Sequence, residues 1–189
     1  MAATYDRLDD KLIDFIRRQK LFFVATAPLS ADGSVNLSPK GYDSLAIIDP
    51  RTVAYLDLGG SGIETHAHLR ENGRITLMFC AFEGPALILR LYGRGESCGF
   101  DEPCFAEKMQ LFPGFERARS VVTVRLTRIS DSCGWGVPFF DFKGERDQLR
   151  RWVDARPHDE WAARRYESNK ASIDGLPGLL APGIATADR

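Results

Sequence analysis

Residues 58–74 (LGGSGIETHAHLRENGR) combine glycines, hydroxyl side chains and a helix-like segment in one short stretch. The apolar run 52–57, which is typical of a strand, comes directly before it. A helix that begins at a glycine-rich turn offers free backbone N–H groups and the positive end of its dipole, and both attract anions. Ser61 and Thr65 add hydroxyl donors. The stretch predicts a site for a phosphorylated ligand, although a plain strand-to-helix turn with a hydroxyl cap has the same composition.

Two histidines in this stretch, His66 and His68, form a His-x-His pattern that is found in some metal sites. Residues two apart on a helix point to nearly opposite faces, so the two rings cannot share one ion. We expect one ring to pack and the other to be exposed or close to the bound ligand. The pattern therefore predicts no metal site.

Composition and charge limit the classes of function. The chain has 189 residues, 44% of them hydrophobic and 27% charged, with a net charge of -1, which is typical of one globular domain. We find no basic stripe for nucleic acid, and the longest apolar runs, residues 21–27 and 75–82, are too short to span a membrane. The polar, acidic N-terminus does not resemble a signal peptide, and the four cysteines lack CxxC spacing. We expect a cytoplasmic protein with reduced cysteines.

The elements that must position the site follow from hydrophobic periodicity. Helical spacing predicts an amphipathic helix over residues 8–18, and alternating or β-branched runs separated by turns predict strands. The predicted strands are residues 21–26, 35–38, 45–48, 52–57, 74–82, 86–92 and 120–127, and further helices are expected over residues 101–112, 145–153 and 160–171. Strands that arise in hairpins, with only short helices between them, predict a mainly β protein with an antiparallel, nearly closed barrel.

Five segments in this order resemble the pyridoxamine 5′-phosphate oxidase-like flavoproteins. They are residues 23–26 (FVAT), 36–41 (NLSPKG), 55–65 (YLDLGGSGIET), 71–79 (ENGRITLMF) and 84–95 (GPALILRLYGRG). The resemblance implies an FMN-binding split barrel over residues 1–140, with residues 141–189 as a C-terminal helical extension and tail of the same domain. It also implies a homodimer that binds FMN in clefts at the subunit interface.

The resemblance further implies which residues bind the cofactor. Ser61, Gly62, Glu64 and Thr65 match the positions that hold the FMN phosphate, and Asp57 ends the strand before them. Ser38, Pro39 and Lys40 match a strand beside the flavin, where a lysine would place positive charge near the pyrimidine edge of the ring. Lys40 taken alone is more typical of a solvated edge lysine. Trp135 matches a region that approaches the flavin of the other subunit, or it packs in the core or the interface.

Two departures from the family pattern narrow the expected activity. Gly62 and Ile63 stand where true pyridoxamine phosphate oxidases have an Arg-Lys pair, so Arg70, Arg74 or Arg90 would have to supply positive charge. The C-terminal Arg/Trp signature that binds pyridoxal phosphate is also absent. We therefore do not expect oxidation of vitamin B6. Related proteins bind the deazaflavin F420 or haem, which stay open as alternatives, with His66, His68 or His158 as axial ligands of a haem.

The leading hypothesis is an FMN-dependent oxidoreductase that exchanges a hydride or electrons with a small organic substrate. No serine–histidine–acid or paired-carboxylate pattern identifies catalytic residues, and flavin enzymes seldom need one because the cofactor carries the chemistry. The alternative is a non-catalytic flavin-, F420- or haem-binding protein for storage, sensing or shielding. A third hypothesis, a structural barrel without a cofactor, applies only if Ser61, Gly62 and Thr65 hold no phosphate.

Overall fold

The structure is a computed structural model that describes residues 3–179 and residue 181. In this part of the chain, eight strands form one antiparallel sheet, and five helices lie around it. The strands are β1 (Thr4–Tyr5), β2 (Phe22–Thr26), β3 (Asn36–Lys40), β4 (Leu45–Asp49), β5 (Thr52–Asp57), β6 (Arg74–Cys80), β7 (Ile88–Gly99) and β8 (Ser120–Ser132). The helices are α1 (Asp10–Arg18), α2 (Glu64–Asn72), α3 (Phe105–Met109), α4 (Gln148–Asp154) and α5 (His158–Ser168).

The sheet curls into a half-barrel. Its strands follow the order β3-β2-β6-β7-β8-β5-β4, and β1 pairs with β8. Phe22 of β2 packs edge-on against Tyr55 of β5, with ring centroids 5.8 Å apart, although these strands are not hydrogen-bonded neighbours. The edge strands β3 and β4 are consecutive in the chain and leave an open seam between them. The antiparallel split barrel with short helices that the sequence predicts is therefore confirmed.

Helix α1 packs against the barrel core. Its apolar residues Leu12, Phe15 and Ile16 are buried in the same cluster as residues from the interior of the strands. The helix begins at Asp9, whose carboxylate accepts a hydrogen bond from the Leu12 N–H at 2.9 Å. Such a cap satisfies one of the free N–H groups at a helix start. Across the described residues, no helix has both the length and the apolar composition that crossing a membrane requires.

The structure differs from the sequence-based expectation between β7 and β8. Both strands continue well beyond their apolar runs. The polar, glycine-containing second half of β7 pairs with the first half of β8 as far as Gly99 and Ser120, and the polar end of β8, residues 128–132, pairs with residues 88–92 of β7. The helix expected over residues 101–112 shrinks to the five residues of α3. A disulfide between Cys98 and Cys104 closes the loop before it. The expectation of reduced cysteines is therefore wrong for this pair, while Cys80 and Cys133 are free.

Candidate functional site

Polar side chains of β3 face the end of β5 and the first turn of α2 across the open seam. Alternation along the strand places Asn36, Ser38 and Lys40 on one face. The Asn36 amide donates to Thr65 Oγ1 at 2.9 Å, and the Ser38 hydroxyl donates to Asn36 Oδ1 at 3.0 Å. Lys40 Nζ lies 3.3 Å from Asp57 Oδ1. We call these five residues the polar seam; it brings together four of the predicted cofactor residues.

Pro39 lies on the other face of the same strand. Its side chain is exposed and lines a different cavity, together with residues of α1 and β2. The alternation of β3 therefore separates Pro39 from Ser38 and Lys40.

The two histidines of α2 are both buried and make separate contacts. His68 Nδ1 lies 3.0 Å from Thr26 Oγ1, and His66 Nδ1 lies 2.7 Å from Ser97 Oγ. The rings therefore have different partners, as their spacing predicts. Neither ring is exposed, so of the two positions expected for the second ring only the one close to a bound ligand remains. Burial, together with the positive charges of Arg70 and Arg119, lowers the pKa of His66 to about 3. Burial also lowers the pKa of His68, so both imidazoles are neutral at pH 7.

The turn between β5 and α2, residues 59–63, is the glycine loop. Gly59 has a φ of 104°, which favours glycine, and a Cβ added at Gly60 would meet nothing within 4 Å. Helix α2 begins after Ile63 without a side-chain cap. Among the described residues, the N–H groups of Gly60, Ser61 and Gly62 have no hydrogen-bond partner. The loop and the helix start therefore offer a row of free N–H donors beside exposed Ser61.

Three side chains hold the carbonyl oxygens of the glycine loop. Arg119 donates to the Gly62 carbonyl at 2.5 Å, and Arg165 of α5 donates to the Gly60 carbonyl at 3.0 Å. The Asn169 amide lies 3.3 Å from the carbonyls of both Gly60 and Ser61. Because these donors occupy the carbonyl oxygens, the loop conformation is fixed while its N–H groups stay free.

The same two arginines surround a buried carboxylate. Arg119 Nη2 lies 2.7 Å from Asp57 Oδ2, and the exposed fractions are 4% for Arg119, 6% for Arg165 and 2% for Asp57. Burial raises the pKa of Asp57, but Arg119 and Lys40 outweigh it and hold that pKa well below its usual range. Burial and the nearby Arg119 lower the pKa of Arg165. The Nε atoms of both arginines are buried and have no partner among the described residues.

Glu64 places a second carboxylate at the glycine loop. It folds back over Gly62, where an added Cβ would collide with it, and accepts a hydrogen bond from the Ile173 N–H at 3.2 Å. A negative charge is favourable at the start of a helix. Three cations (Lys40, Arg119, Arg165) therefore face two carboxylates (Asp57, Glu64), and positive charge remains in excess beneath the free N–H groups.

The arginines that the sequence analysis names are not part of this arrangement. Each is bonded elsewhere: Arg70 to Glu102 and Gly178, Arg74 to Asn72 and Pro28, Arg90 to Ser132. Arg119 and Arg165 are the arginines that contact the glycine loop, and no local motif marks either one. Arg165 lies 105 residues from the Gly60 carbonyl that it binds.

Trp135 is far from the glycine loop of its own chain. It follows β8, whose first residue, Ser120, pairs with Asp57, whereas Trp135 lies beyond the opposite end of that strand. Its side chain is 86% exposed, and Phe139, Phe140 and Phe142 are exposed nearby in the sequence. We call residues 133–147 the aromatic arm. It borders a cavity of about 1490 Å³ that α1 and β2 also line.

One group of side chains outside this site has the composition of a metal site. Ligand atoms of Cys98, Glu102 and Cys104 all lie within 4.8 Å of one another. The two sulfurs are joined as a disulfide and so offer no thiolate to a metal.

Comparison with known proteins gives the family. Residues 8–133 match the family model of pyridoxamine 5′-phosphate oxidase. The pyridoxamine 5′-phosphate oxidase family protein ustO of Aspergillus flavus is 38% identical over 196 residues, which cover 95% of this chain and 78% of that protein. Group A Streptococcus HupZ shares 26% identity with a TM-score of 0.53, over 66% of this chain and 98% of HupZ. An FMN-binding protein from Syntrophomonas wolfei has a TM-score of 0.45 at 14% identity, over 61% of this chain and 78% of its own. The chain therefore belongs to the pyridoxamine 5′-phosphate oxidase family.

Proposed function

We propose that the chain binds FMN and acts as an FMN-dependent oxidoreductase on a small organic substrate. One observation carries the proposal: free N–H groups of the glycine loop lie above the excess positive charge of Arg119 and Arg165. The phosphate monoester of FMN carries close to two negative charges at pH 7. A dianion would neutralise that excess and accept hydrogen bonds from the loop, from Ser61 and from the start of α2.

The described residues fit this group. The free N–H groups of the glycine loop and the uncapped start of α2 are the donors that a phosphate would accept from. The polar seam leads from Thr65 to Lys40 and offers hydroxyl and ammonium donors for the polar edge of a flavin. When bound, FMN supplies hydride or electron transfer. Ser38 and Lys40 orient the ring edge, and Lys40 keeps positive charge beside it.

The haem alternative has less support. His66 and His68 are buried, and one nitrogen of each ring already contacts a hydroxyl group. His158 lies 3.5 Å from Asp159 at the start of α5. None of these imidazoles lies free at the polar seam. Haem also carries no phosphate that could accept hydrogen bonds from the glycine loop. F420 carries a phosphate and stays an alternative to FMN.

We also propose that the active unit is a homodimer and that the aromatic arm contacts the partner subunit. Four exposed aromatic side chains are unusual on the surface of an isolated domain. Trp135 is remote from the glycine loop of its own chain, so contact with a flavin requires the site of the second copy. We further propose that the C-terminal extension belongs to the same domain as the barrel, and the contacts of Arg165 and Asn169 with the glycine loop support this.

An absorption spectrum of the purified protein tests the cofactor, followed by mass spectrometry of the compound that heat releases. We expect flavin bands and a released mass equal to that of FMN. Bound flavin that a nicotinamide or deazaflavin donor reduces and an acceptor reoxidises would support an enzyme, whereas flavin that no donor reduces would favour storage or sensing. A colourless protein that also fails to take up added FMN would contradict the proposal.

A further inference from the structure

Helix α5 packs on the loop that the Cys98–Cys104 disulfide closes. We call residues 98–104 the bridged loop. The Phe100 ring contacts the ring of Trp161 with centroids 4.9 Å apart and that of Tyr166 at 5.2 Å. The Tyr166 hydroxyl donates to Asp101 Oδ2 at 2.9 Å. Trp161 is almost fully buried by this packing. The bridged loop therefore provides much of the surface that holds α5.

The bridged loop also anchors the segment that follows α5. Glu102 Oε1 lies 2.8 Å from Arg70 Nη2, and Arg70 Nη1 donates to the Gly178 carbonyl at 3.0 Å. A Cβ added at Gly99 would lie 3.4 Å from the side chain of Leu179, which is buried. Contacts from Gly99 to Glu102 thus hold both the helix and the segment after it.

The C-terminal end of α5, which carries Tyr166, also reaches the candidate anion site. Arg165 and Asn169 hold the carbonyls of Gly60 and Ser61, and Arg165 adds positive charge beneath the loop. Neither side chain is part of the barrel. The conformation of the glycine loop therefore depends on the position of α5, and that position depends on the bridged loop.

We infer that α5 is a positioning element of the anion site and that the Cys98–Cys104 disulfide keeps it in place, so that reduction of the disulfide weakens phosphate binding. The inference rests on the proposed function and adds a redox control to it. The reductant is a dithiol. Its two thiols are oxidised to a disulfide, the Cys98–Cys104 bond breaks, and the two electrons and two protons that the dithiol loses leave both cysteines as thiols.

The physical reason is the freedom of the bridged loop. A disulfide removes conformations from the segment that it closes. Once the disulfide is reduced, Phe100, Asp101 and Glu102 lie on a loop that is no longer closed covalently and that connects β7 to the short helix α3. To form their contacts with α5 and Arg70, these residues must then lose more conformational entropy than in the oxidised protein. The hydrogen bonds of Arg165 and Asn169 to the glycine loop are consequently formed in a smaller fraction of the molecules.

The first experiment compares oxidised and dithiol-reduced wild type. We would measure dissociation constants for FMN and riboflavin, the thermal shift caused by inorganic phosphate, and amide hydrogen exchange over residues 158–179. Reduction should weaken FMN binding about tenfold, change riboflavin binding little and increase exchange in α5. Equal FMN affinity and equal exchange in the two states would overturn the inference.

Variants separate this disulfide from the other cysteines. Cys98→Ser with Cys104→Ser should match reduced wild type and no longer respond to the dithiol. Cys133→Ser removes an exposed free cysteine at the start of the aromatic arm. Whatever its own FMN affinity, it should keep the wild-type ratio between the affinities of the oxidised and reduced protein. If the double variant does not fold, as judged by far-UV circular dichroism, the comparison of oxidised and reduced wild type still decides whether reduction weakens FMN binding. A Cys133→Ser protein that no longer responds would assign the effect to Cys133 and overturn the inference.

The role of Arg165 as a positioning residue is tested by comparing its effect on the binding of FMN, which has a phosphate, with its effect on the binding of riboflavin, which has none. Arg165→Gln should weaken FMN binding about tenfold and leave riboflavin binding nearly unchanged, and Arg165→Lys should restore part of the loss. Equal losses for both ligands would mean a general structural role and would contradict the inference.

The two proposals can fail separately. If no flavin binds in either redox state but exchange in α5 and the phosphate-induced thermal shift respond to the dithiol, the flavin assignment fails and the control by the disulfide stands. If flavin binds equally in both states and exchange does not change, only the control fails.

Discussion

Arg119 and Asp57 form a buried ion pair, 2.7 Å long, at the base of the glycine loop. The same guanidinium also donates to the Gly62 carbonyl, so one side chain joins the end of β5 to the start of α2. Lys40 contacts the other oxygen of the Asp57 carboxylate. Asp57 therefore balances part of the positive charge that the site holds, and the remainder is available to an anionic ligand.

Asp57→Asn should destabilise the protein strongly. The change leaves Arg119 buried without its counter-ion, and removal of one partner of a buried pair costs about 3–5 kcal/mol. Urea unfolding should show this fall in the free energy of unfolding, and a smaller fall when FMN is bound, because its phosphate supplies negative charge. Asp154→Asn, at an exposed position, is the control. A loss equal to that of the control would mean that the ion pair does not stabilise the fold.

Glu64→Gln should strengthen FMN binding. The Glu64 carboxylate lies over Gly62, so it repels a phosphate at the loop, and the substitution removes that charge while keeping the size of the side chain. We expect an affinity gain of about two- to tenfold for FMN and no gain for riboflavin. Titrations that follow flavin fluorescence measure both. Weaker FMN binding by the variant would instead make Glu64 a group that supports the ligand.

The stability of the apoprotein should fall as the pH drops below about 6.5, the ordinary pKa of histidine. The folded pKa of His66 is about 3, so between these values the unfolded chain binds a proton that the folded protein does not. Stability then falls by about 1.4 kcal/mol per pH unit for each such histidine, and the lowered pKa of His68 acts in the same direction. Asp57 adds a loss only below its ordinary pKa of about 3.9.

His66→Gln tests the assignment of this pH dependence. The slope of unfolding free energy against pH should fall between about pH 4.5 and about pH 6, because only the contribution of His68 remains. His158→Gln, which removes an exposed histidine, is the control variant. A slope that His66→Gln does not reduce would show that His66 is protonated in the folded protein.

Mixed dimers test whether Trp135 serves the site of the partner subunit. One variant is Trp135→Ala, and the other combines Ser61→Ala with Thr65→Ala. Each homodimer should bind FMN weakly, whereas a mixed dimer contains one site with an intact loop and an intact Trp135. Refolding equal amounts of the two variants together should therefore restore about a quarter of the tight binding sites, since about half of the dimers are mixed and each has one intact site. No restoration would place Trp135 outside the flavin site.

Most of the elements near the site can be predicted from local pattern. Apolar periodicity predicts α1, and the glycine-rich turn predicts the break between β5 and α2. The alternation of residues 36–40 explains why Ser38 and Lys40 share a face, which is a local property. The full lengths of β7 and β8 cannot be predicted in this way. The second half of β7 and the last residues of β8, 128–132, are polar or glycine-containing and are extended because each pairs with the other strand.

The positive charges of the site could not be predicted from local pattern. Arg119 precedes a strand and Arg165 lies on a charged helix, and both positions are typical of exposed arginines. Only the tertiary fold places them beside Asp57 and the glycine loop. The Cys98–Cys104 pair is missed for a similar reason, since its spacing fits no common motif and the bond depends on the turn after β7.

The contact between Asn169 and Gly60 has a consequence for biosynthesis. The two residues are 109 positions apart, and every strand of the barrel precedes Asn169 in the chain. The barrel strands can therefore leave the ribosome and pair before the residues that complete the glycine loop have been translated. If the proposed function is correct, cofactor loading is then one of the last events of maturation, and a chain truncated before α5 should have little affinity for phosphate.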